Sequence, residues 1–260
     1  MVLTFDISFV FEYVIKLLPF IRISLLIVAG SLVVGLGVGF LAALARIYHI
    51  PILRQLSQLY TSFFRGTPIL IQLFLFYYGL PEVLKLQGID LSRAPVLYFV
   101  IATYGLNAGA FISEAIRAAV TSVDRGQIEA GYTIGMTGFQ AFSRIVLPQA
   151  LAISLPIFAN VTIGTLKDTS LAFTLGVMEL TAKAQSLGKV AQHYIESYIA
   201  LAIIYLIISL LLEWAFRYVE RRMLRYERPL STSQPVKDGK SWLIRLFTPN
   251  ASLNKGGTGK

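Results

Sequence analysis

Long apolar stretches separated by short polar segments dominate the chain. A membrane span needs about 20 mostly apolar residues to cross a hydrocarbon core of roughly 30 Å. Five stretches meet this need, at residues 23–45, 56–80, 94–113, 148–166 and 197–212. Arg65 interrupts the second stretch, so its apolar body is 68–80 with the turn before it. The pattern predicts an all-α integral membrane protein with five transmembrane helices.

The first twenty residues show a different pattern. Apolar residues recur near helical spacing, but Asp6, Glu12 and Lys16 lie among them, so the segment is too charged for a further span. No small-residue cleavage site of the kind that ends a signal peptide follows. We expect an interfacial helix within residues 1–20 that lies on the membrane surface, ahead of a transmembrane domain over 21–228.

The composition changes after Arg228 to Pro, Ser, Thr, Lys and Gly, which predicts a flexible cytoplasmic tail over 229–260. An apolar patch at 242–247 either touches the bilayer or docks on a partner. The end of the tail, 256–260, resembles a phosphate-binding loop only superficially. Its leading glycine falls on Asn254, and no Ser or Thr follows the lysine. We therefore expect no ATP binding by this chain.

Composition excludes several classes of protein. Hydrophobic residues make up 55% of the chain and charged residues 14%, whereas soluble domains are near a quarter charged. Without cysteine there is no disulfide, thiolate metal site or cysteine nucleophile. His49 and His193 are too few and too far apart to predict a metal site, and no catalytic residue is predicted. The net charge of +9 is typical of basic inner loops in a membrane protein, so no nucleic-acid partner is expected.

Arginine and lysine positions predict the orientation. With five spans the termini lie on opposite sides, and an inner C-terminus places eleven basic residues inside, before the tail, and seven outside. The inner ones are Arg46, Arg54, Arg65, Arg117, Arg125, Arg144, Arg217, Arg221, Arg222, Arg225 and Arg228. The outer ones are Lys16, Arg22, Lys85, Arg93, Lys167, Lys183 and Lys189. The positive-inside rule favours an outer N-terminus and a cytoplasmic C-terminus.

The inner segment 124–147, between the third and fourth spans, carries the most informative pattern. Small and apolar residues alternate with polar ones at helical spacing up to Gly135, which ends the helix. Pro148 suits the first turn of the next span, because an amide hydrogen is not needed there. The sequence predicts a short amphipathic helix, a glycine break and re-entry into the membrane at Pro148.

At these residues the chain resembles the permease subunits of type I ABC importers. Their signature is Glu-Ala-Ala, a glycine a few residues later, and then Ile-x-Leu-Pro. The matching residues are Glu129, Ala130, Gly135, Ile145, Leu147 and Pro148, with Gly131 in place of the second alanine. In that family the loop is a coupling helix that sits in a groove on the ATP-hydrolysing subunit. The resemblance implies that it transmits closure of the ATPase dimer to the spans.

Further segments are similar to the polar-amino-acid subgroup of that family. They are Phe64-Arg65-Gly66-Thr67-Pro68, Gln72-Leu73-Phe74, Tyr77-Tyr78-Gly79-Leu80-Pro81, Gly126-Gln127 and Lys167-Asp168-Thr169-Ser170-Leu171. The resemblance covers roughly residues 17–228 and implies the type I importer permease fold in a bacterial cytoplasmic membrane. It also implies two ATPase subunits that carry ATP and magnesium, a solute-binding protein outside, and a second permease, either a copy or a paralogue. This chain, surrounded by membrane lipids, would bind no cofactor itself.

Asp168 is a candidate for the substrate pathway, because a charge at the end of an apolar helix is costly unless it has a function. One alternative is a structural cap, in which Lys167 pairs with Asp168 while Thr169 and Ser170 satisfy backbone groups. The other is that Asp168, with Thr169 and Ser170, faces the amino group of a transported amino acid. Glu179 and Gln185 in the following loop are further candidates.

Two other groups have open or structural interpretations. Tyr77 and Tyr78 form either an aromatic belt at the outer face or a wall of the substrate cavity. Glu114 and Arg117 are three residues apart on one helical face, which predicts a structural ion pair beside the coupling loop. We expect Arg65 to anchor the second span at the inner interface.

Small residues in two spans predict close helix crossings. They are Gly35, Gly37 and Gly39 in the first span and Gly105 and Gly109 in the third. The neighbour across these glycines is either another helix of the same subunit or a second subunit.

The predicted function is the membrane subunit of an ATP-driven importer for a polar amino acid, not an enzyme. The stretch 170–177 is more similar to cystine and sulfur-amino-acid members of the family than to glutamine or arginine members. Glutamine, glutamate, arginine and histidine remain alternative substrates. An integral-membrane enzyme would need clustered His, Asp or Ser at matched depths, and a channel would not need a coupling loop.

Overall fold

The computed structural model describes residues 5–91 and 93–223, so the predicted tail 229–260, with its 242–247 patch, lies outside the described residues. Within the described ranges the regular structure is entirely helical. The α-helices are α1 (Ile7–Leu17), α2 (Ile21–Ile47), α3 (Pro51–Gly66), α4 (Ile69–Phe74), α5 (Leu80–Lys85), α6 (Val96–Thr121), α7 (Arg125–Thr133), α8 (Gly138–Ala141), α9 (Leu147–Asp168), α10 (Leu180–Ala191) and α11 (Tyr194–Met223). Two 3₁₀ segments, Leu18–Phe20 and Thr169–Leu175, and two wider π turns, Leu75–Gly79 and Phe142–Val146, join some of them.

Four helical stretches in the described residues are long and apolar enough to cross a membrane by themselves. They are Ile7–Ile47, Val96–Thr121, Gly138–Leu175 and Tyr194–Met223. The fifth candidate is a bent pair, Pro51–Gly66 and Ile69–Lys85, whose axes differ by 114°. The all-helical membrane fold is confirmed, and the predicted count of five spans holds when this pair is counted as one.

The second stretch, 56–80, whose apolar body was predicted at 68–80, is not one straight helix, because the chain breaks in its middle. Thr67 takes an extended conformation, with φ −116° and ψ 146°. The ring of Pro68 disfavours the α conformation in the residue before it, and Pro68 has no amide hydrogen for a helical bond. The chain therefore leaves α3 at Gly66 and resumes in a new direction at Ile69.

The N-terminal segment is helical, as predicted, and is capped by the carboxylate of Asp6. It does not end at residue 20, because a single 3₁₀ turn joins α1 directly to α2. Val10, Tyr13 and Leu17 are buried against α10 and α11. One face of α1 is therefore part of the helix bundle, and its position on the membrane surface stays a prediction.

The contact between α2 and α6 is the most extensive in the described chain. The helices run parallel, and their backbones meet at glycines. A Cβ at Gly39 would lie 2.7 Å from the carbonyl oxygen of Gly109, and one at Gly35 would lie 3.0 Å from that of Gly105. Gly37 has no neighbour within 4 Å. For the other four glycines the neighbour is therefore a helix of the same subunit.

Pro148 lies in the first turn of α9, as predicted, but the helical stretch that contains it begins ten residues earlier, at Gly138. A capping box formed by Thr137 and Gln140 starts it, and the helix then continues through the π turn into α9. The wider turn lies just before Pro148, where a regular α-helix would need the amide hydrogen that proline lacks. Leu147 and Pro148 are exposed on the first turn of α9.

Candidate functional site

The predicted coupling helix corresponds to α7, which begins after Asp124 and ends in a Schellman motif. The amide of Gly135 donates to the carbonyl of Tyr132, and the amide of Met136 donates to that of Gly131, both at 3.0 Å. Gly135 has φ +84°, in the left-handed region that glycine adopts without steric cost. The glycine break predicted at this position is confirmed.

Two contacts attach α7 to the start of the helix that leads into the membrane. A Cβ at Gly131 would lie 3.0 Å from Cδ1 of Ile145, which shows how closely the two segments pack. Gln149 Nε2 also donates a hydrogen bond to Gln127 Oε1 at 2.8 Å. A displacement of α7 would therefore be transmitted directly to the first turn of α9.

The opposite side of this loop is exposed. Glu129 and Ala130, the first two signature residues, lie on the surface of α7. Beside them Ile134 is 75% exposed and Phe139 80% exposed, and Tyr132 is also exposed. An apolar surface around one carboxylate is typical of a protein contact rather than of a solvated loop.

Two side-chain amides stabilise the break in the second span. Gln72, which is fully buried, donates through Nε2 to the carbonyls of Phe64 and Thr67 at 2.9 and 3.0 Å. Asn107 Nδ2 donates to the Phe64 carbonyl at 3.1 Å and to Gln72 Oε1 at 3.0 Å. These carbonyls belong to the last turn of α3 and the break, where no helical partner exists. The amides therefore allow an interrupted helix inside the bundle.

Asp168 is the last residue of α9 and is half-buried. Its backbone carbonyl accepts a hydrogen bond of 2.6 Å from the hydroxyl of Tyr104 on α6. Its carboxylate caps no helix and has no hydrogen-bond partner in the described part of the chain. Lys167 is exposed and forms no ion pair with it among those residues. The Lys167–Asp168 pair considered above is therefore not formed among the described residues.

The two interruptions lie close to each other along α6. Tyr104 holds the end of α9, and Asn107, one helical turn away on the same face, holds the break after α3. Asn107 is near the middle of α6 (Val96–Thr121). Interrupted helices near the middle of a membrane domain are typical of transporter binding sites, since they expose backbone groups to a cavity.

Thr169 and Glu179 have structural roles, and Thr169 Oγ1 donates to the Leu166 carbonyl at 2.7 Å, as the structural alternative predicted. Thr169 is fully buried and lies 3.3 Å from the hydroxyl of Tyr205, while Ser170 is half-buried. Glu179 is also fully buried: it caps α10 and accepts bonds from Ser24 Oγ at 3.4 Å and from the Tyr205 hydroxyl at 3.3 Å. Burial raises the pKa of the Glu179 carboxyl, against the lowering effect of these bonds. Glu179 therefore joins helices instead of facing a ligand.

Tyr77 and Tyr78 point to different surroundings. The Tyr77 ring meets Phe99 edge to face at 5.6 Å and packs on a cluster that contains Tyr104 and Leu175. Tyr78 is 58% exposed. The structure therefore brings Tyr77, but not Tyr78, to the region where α9 ends.

Glu114 interacts with three arginines, not one. Arg117 donates to it at 3.0 Å, as predicted, Arg46 of α2 donates to its other oxygen, and Arg65 of α3 lies 3.7 Å away. The expected role of Arg65 as an anchor of the second span at the inner interface stays a prediction. Arg65 adjoins the break near the middle of the bundle, and its guanidinium extends over Phe111 towards Glu114.

Comparison with known proteins agrees with this architecture. Residues 35–225 match the family described as binding-protein-dependent transport system inner membrane component. The chain belongs to this family.

Relatives of this permease have amino-acid transport in their names. It is 46% identical over 228 residues to the L-cystine transport system permease protein TcyL of Bacillus subtilis, covering 88% of this chain and 95% of that protein. It is 43% identical to the probable amino-acid ABC transporter permease protein PatM of Vibrio harveyi, covering 77% and 88%. A crystal structure of an amino acid ABC transporter with histidines superposes with a TM-score of 0.75 at 29% identity, covering 85% and 100%.

These findings confirm the resemblance to amino-acid ABC permeases and the prediction of a transporter subunit without enzymatic activity. Membership of the family places the permease in a membrane and implies an ATPase, a binding protein and a second permease as partners. The inward-facing MetNI methionine transporter, at 21% identity and a TM-score of 0.57, supports the fold alone.

Sequence reasoning missed the residues that hold the interruptions. Gln72 was noted only as part of a motif, while Tyr104 and Asn107 were not singled out. A signal was present, because amide side chains inside apolar spans are uncommon without a partner. That partner could not be named, since it depends on where the chain breaks at Thr67.

Proposed function

We propose that this permease forms, with a second permease subunit, the pathway of an ATP-driven importer for a polar amino acid, with cystine as the preferred substrate. The observation that carries the proposal is the half-buried Asp168 carboxylate, which has no partner in the described chain and lies beside two helix interruptions. A carboxylate in that setting matches the ammonium group that every amino acid carries. The 46% identity to a cystine permease supports cystine as the substrate.

The coupling loop would be the contact with the ATPase. The exposed Glu129, Ala130, Ile134 and Phe139 offer a surface that fits a groove on that subunit. Two ATPase subunits, one for each permease, would bind ATP and magnesium, and a solute-binding protein would deliver the amino acid on the opposite face. The second permease is either another copy of this chain or a paralogue. Signature residues Leu147 and Pro148 would carry movement of the loop into α9.

Uptake into vesicles tests the substrate. The permease would be reconstituted with its ATPase and its binding protein, and ATP-dependent uptake of labelled cystine would be measured against competing amino acids. We expect cystine to be taken up and to be displaced by excess unlabelled cystine more effectively than by glutamine, arginine or histidine. Uptake of another amino acid in preference to cystine would contradict cystine as the substrate but not the importer function. An absence of any ATP-dependent uptake would contradict both.

Asp168→Asn tests the site inside the permease, because it removes the charge with little change in shape. We expect uptake to fall while assembly with the ATPase is unchanged. Glu213→Gln is the matched control, since Glu213 forms an exposed pair with Arg217 on α11. Equal uptake by the Asp168 variant and the unmodified permease would show that Asp168 does not face the substrate.

A further inference from the structure

Helix α3 has three distinct faces, and only one of them packs inside the subunit. The buried face consists of Ser57, Thr61 and Phe64, which recur at intervals of four and three residues. Ser57 Oγ donates to the Ala42 carbonyl of α2 at 2.9 Å, so α3 returns antiparallel along α2 after the turn that follows Ile47. This face fixes α3 against α2 and α6.

The second face is apolar and exposed. It consists of Ile52, Leu56, Leu59 and Phe63, again at helical spacing, with Ile52 73% and Leu59 69% exposed. In a membrane protein such a stripe can pack against lipid acyl chains without placing a polar side chain in hydrocarbon.

The third face is polar and also exposed. It consists of Arg54, Gln58, Ser62 and Arg65, spaced at four, four and three residues, with Gln55 beside it. The side chains of Gln55, Gln58 and Ser62 make no hydrogen bond to any described residue. Each would be costly in hydrocarbon, where an unpaired amide or hydroxyl loses its hydrogen bonds with water.

The polar face reaches deep into the bundle. From Arg54 to Arg65 it rises about 16 Å at 1.5 Å per residue, whereas half of a hydrocarbon core is about 15 Å. Its lower end adjoins the end of α2, on the same side as the coupling loop, because α2 and α6 are parallel and α6 leads into α7. Its upper end is at the break after Gly66, where the Phe64 carbonyl meets Asn107.

We propose that the polar face of α3 is one wall of a water-filled vestibule that opens on the coupling-loop side and ends at the helix break. Lipid covers the apolar stripe about a third of a turn away. The vestibule rests on the proposed function, for which it supplies the exit: a hydrated amino acid released near Asp168 leaves past Ser62, Gln58 and Gln55. The amides and the hydroxyl replace part of its hydration without binding it tightly.

Cysteine accessibility tests the vestibule, since the natural chain contains no cysteine and each variant carries a single thiol. Gln58→Cys and Ser62→Cys place that thiol on the polar face. Leu59→Cys and Phe63→Cys place it one residue further along, at matched depth on the apolar face. All four residues are exposed, so the subunit should fold normally, which co-purification with the ATPase checks. The reagent is a charged, membrane-impermeant methanethiosulfonate, applied without nucleotide to the complete transporter in lipid nanodiscs, which leave both membrane faces open.

We expect the polar-face thiols to react at least about tenfold faster than the apolar-face thiols, because the thiolate is the reactive form and forms poorly in lipid. Equal rates on the two faces, or faster reaction on the apolar face, would overturn the proposal. So would slow reaction at Gln58→Cys and Ser62→Cys with disulfide cross-linking between two permeases, because a second subunit would then cover the polar face. Thiol labelling does not depend on transport, so the vestibule can be tested even if the uptake assay fails. Slow labelling of the polar face, together with normal uptake, would contradict the vestibule but not the importer function.

Discussion

At the scale of single residues, the glycines between α2 and α6 matter because they have no side chain. Gly39 and Gly109 allow the backbones of two helices to touch. The glycine spacing predicts a close neighbour but does not identify which helix it is. Small residues at this spacing predicted a close crossing, and the crossing lies inside the subunit. Gly37 belongs to the same pattern but faces open space. Spacing alone could not separate it from Gly39.

Substitution of these glycines gives the first prediction. We expect Gly39→Ala to destabilise the permease by about 1–3 kcal/mol, because its Cβ would overlap the Gly109 carbonyl and the helices would have to separate. Gly37→Ala should leave stability unchanged. Thermal unfolding of the purified subunit, followed by size-exclusion fluorescence, compares the two. Equal midpoints would show that the crossing is looser than described.

At the scale of helices, the sequence predicted which segments are helical more reliably than where they change direction. The apolar stretches and the glycine stop at Gly135 were readable because hydrophobic period and φ > 0 are local properties. The bend after α3 was not, although Pro68 was visible, because proline disfavours a conformation without choosing a direction. The early start of the fourth helix was not predicted, because Pro148 lacks the amide hydrogen that a continuous α-helix would need there. The π turn before Pro148 lets the helix continue without that hydrogen bond.

The second prediction concerns the bend. We expect Gln72→Leu and Asn107→Leu each to lower stability, by about 1–3 kcal/mol, because the first leaves the Thr67 carbonyl and the second leaves Gln72 Oε1 without a hydrogen-bond donor. Gln55→Leu is the control, since its side chain is exposed and bonds no described residue. The measurement is the thermal midpoint in detergent. Equal thermal midpoints for the Gln72, Asn107 and Gln55 variants would show that the two buried amides do not stabilise the break.

At the scale of the whole molecule, the bundle separates the two proposed sites. The coupling loop lies at one end, on the helix that leads into α9, and the other end of α9 is Asp168. The family signature indicated the loop, and a further family motif indicated Asp168. The sequence predicted the start of this helix at Pro148, but not that the helix continues back through the π turn to Gly138. A single 22-residue helix, about 33 Å long, now joins them.

Orientation is the third prediction, and it rests on the excess of arginine at one side. Gln87 and Gln127 are both exposed and lie towards opposite ends of α6. We expect an impermeant thiol reagent to label Gln87→Cys on intact cells and to label Gln127→Cys only after the membrane is permeabilised. The reverse pattern would invert the topology, and labelling of both on intact cells would contradict the span count.

The central claim is that α7 couples the ATPase to the spans, and it is tested by two substitutions in the loop. Gly135→Leu forces a side chain into φ +84°, at about 1–2 kcal/mol, and so disturbs the end of α7, although a Cβ there would meet no described atom within 4 Å. Glu129→Lys reverses an exposed charge that has no partner among the described residues. Glu12→Lys is the control for charge reversal, because α1 lies outside the residues that match the family and the change removes only an exposed pair with Lys16.

The measurement is ATP hydrolysis by the reconstituted transporter, with and without binding protein and amino acid. We expect Gly135→Leu and Glu129→Lys to insert and to pair with a second permease, while the stimulation of hydrolysis by loaded binding protein falls at least about fivefold. The Glu12 variant should be stimulated like the unmodified protein. Full stimulation in both loop variants would show that α7 is only a connector and would contradict the account.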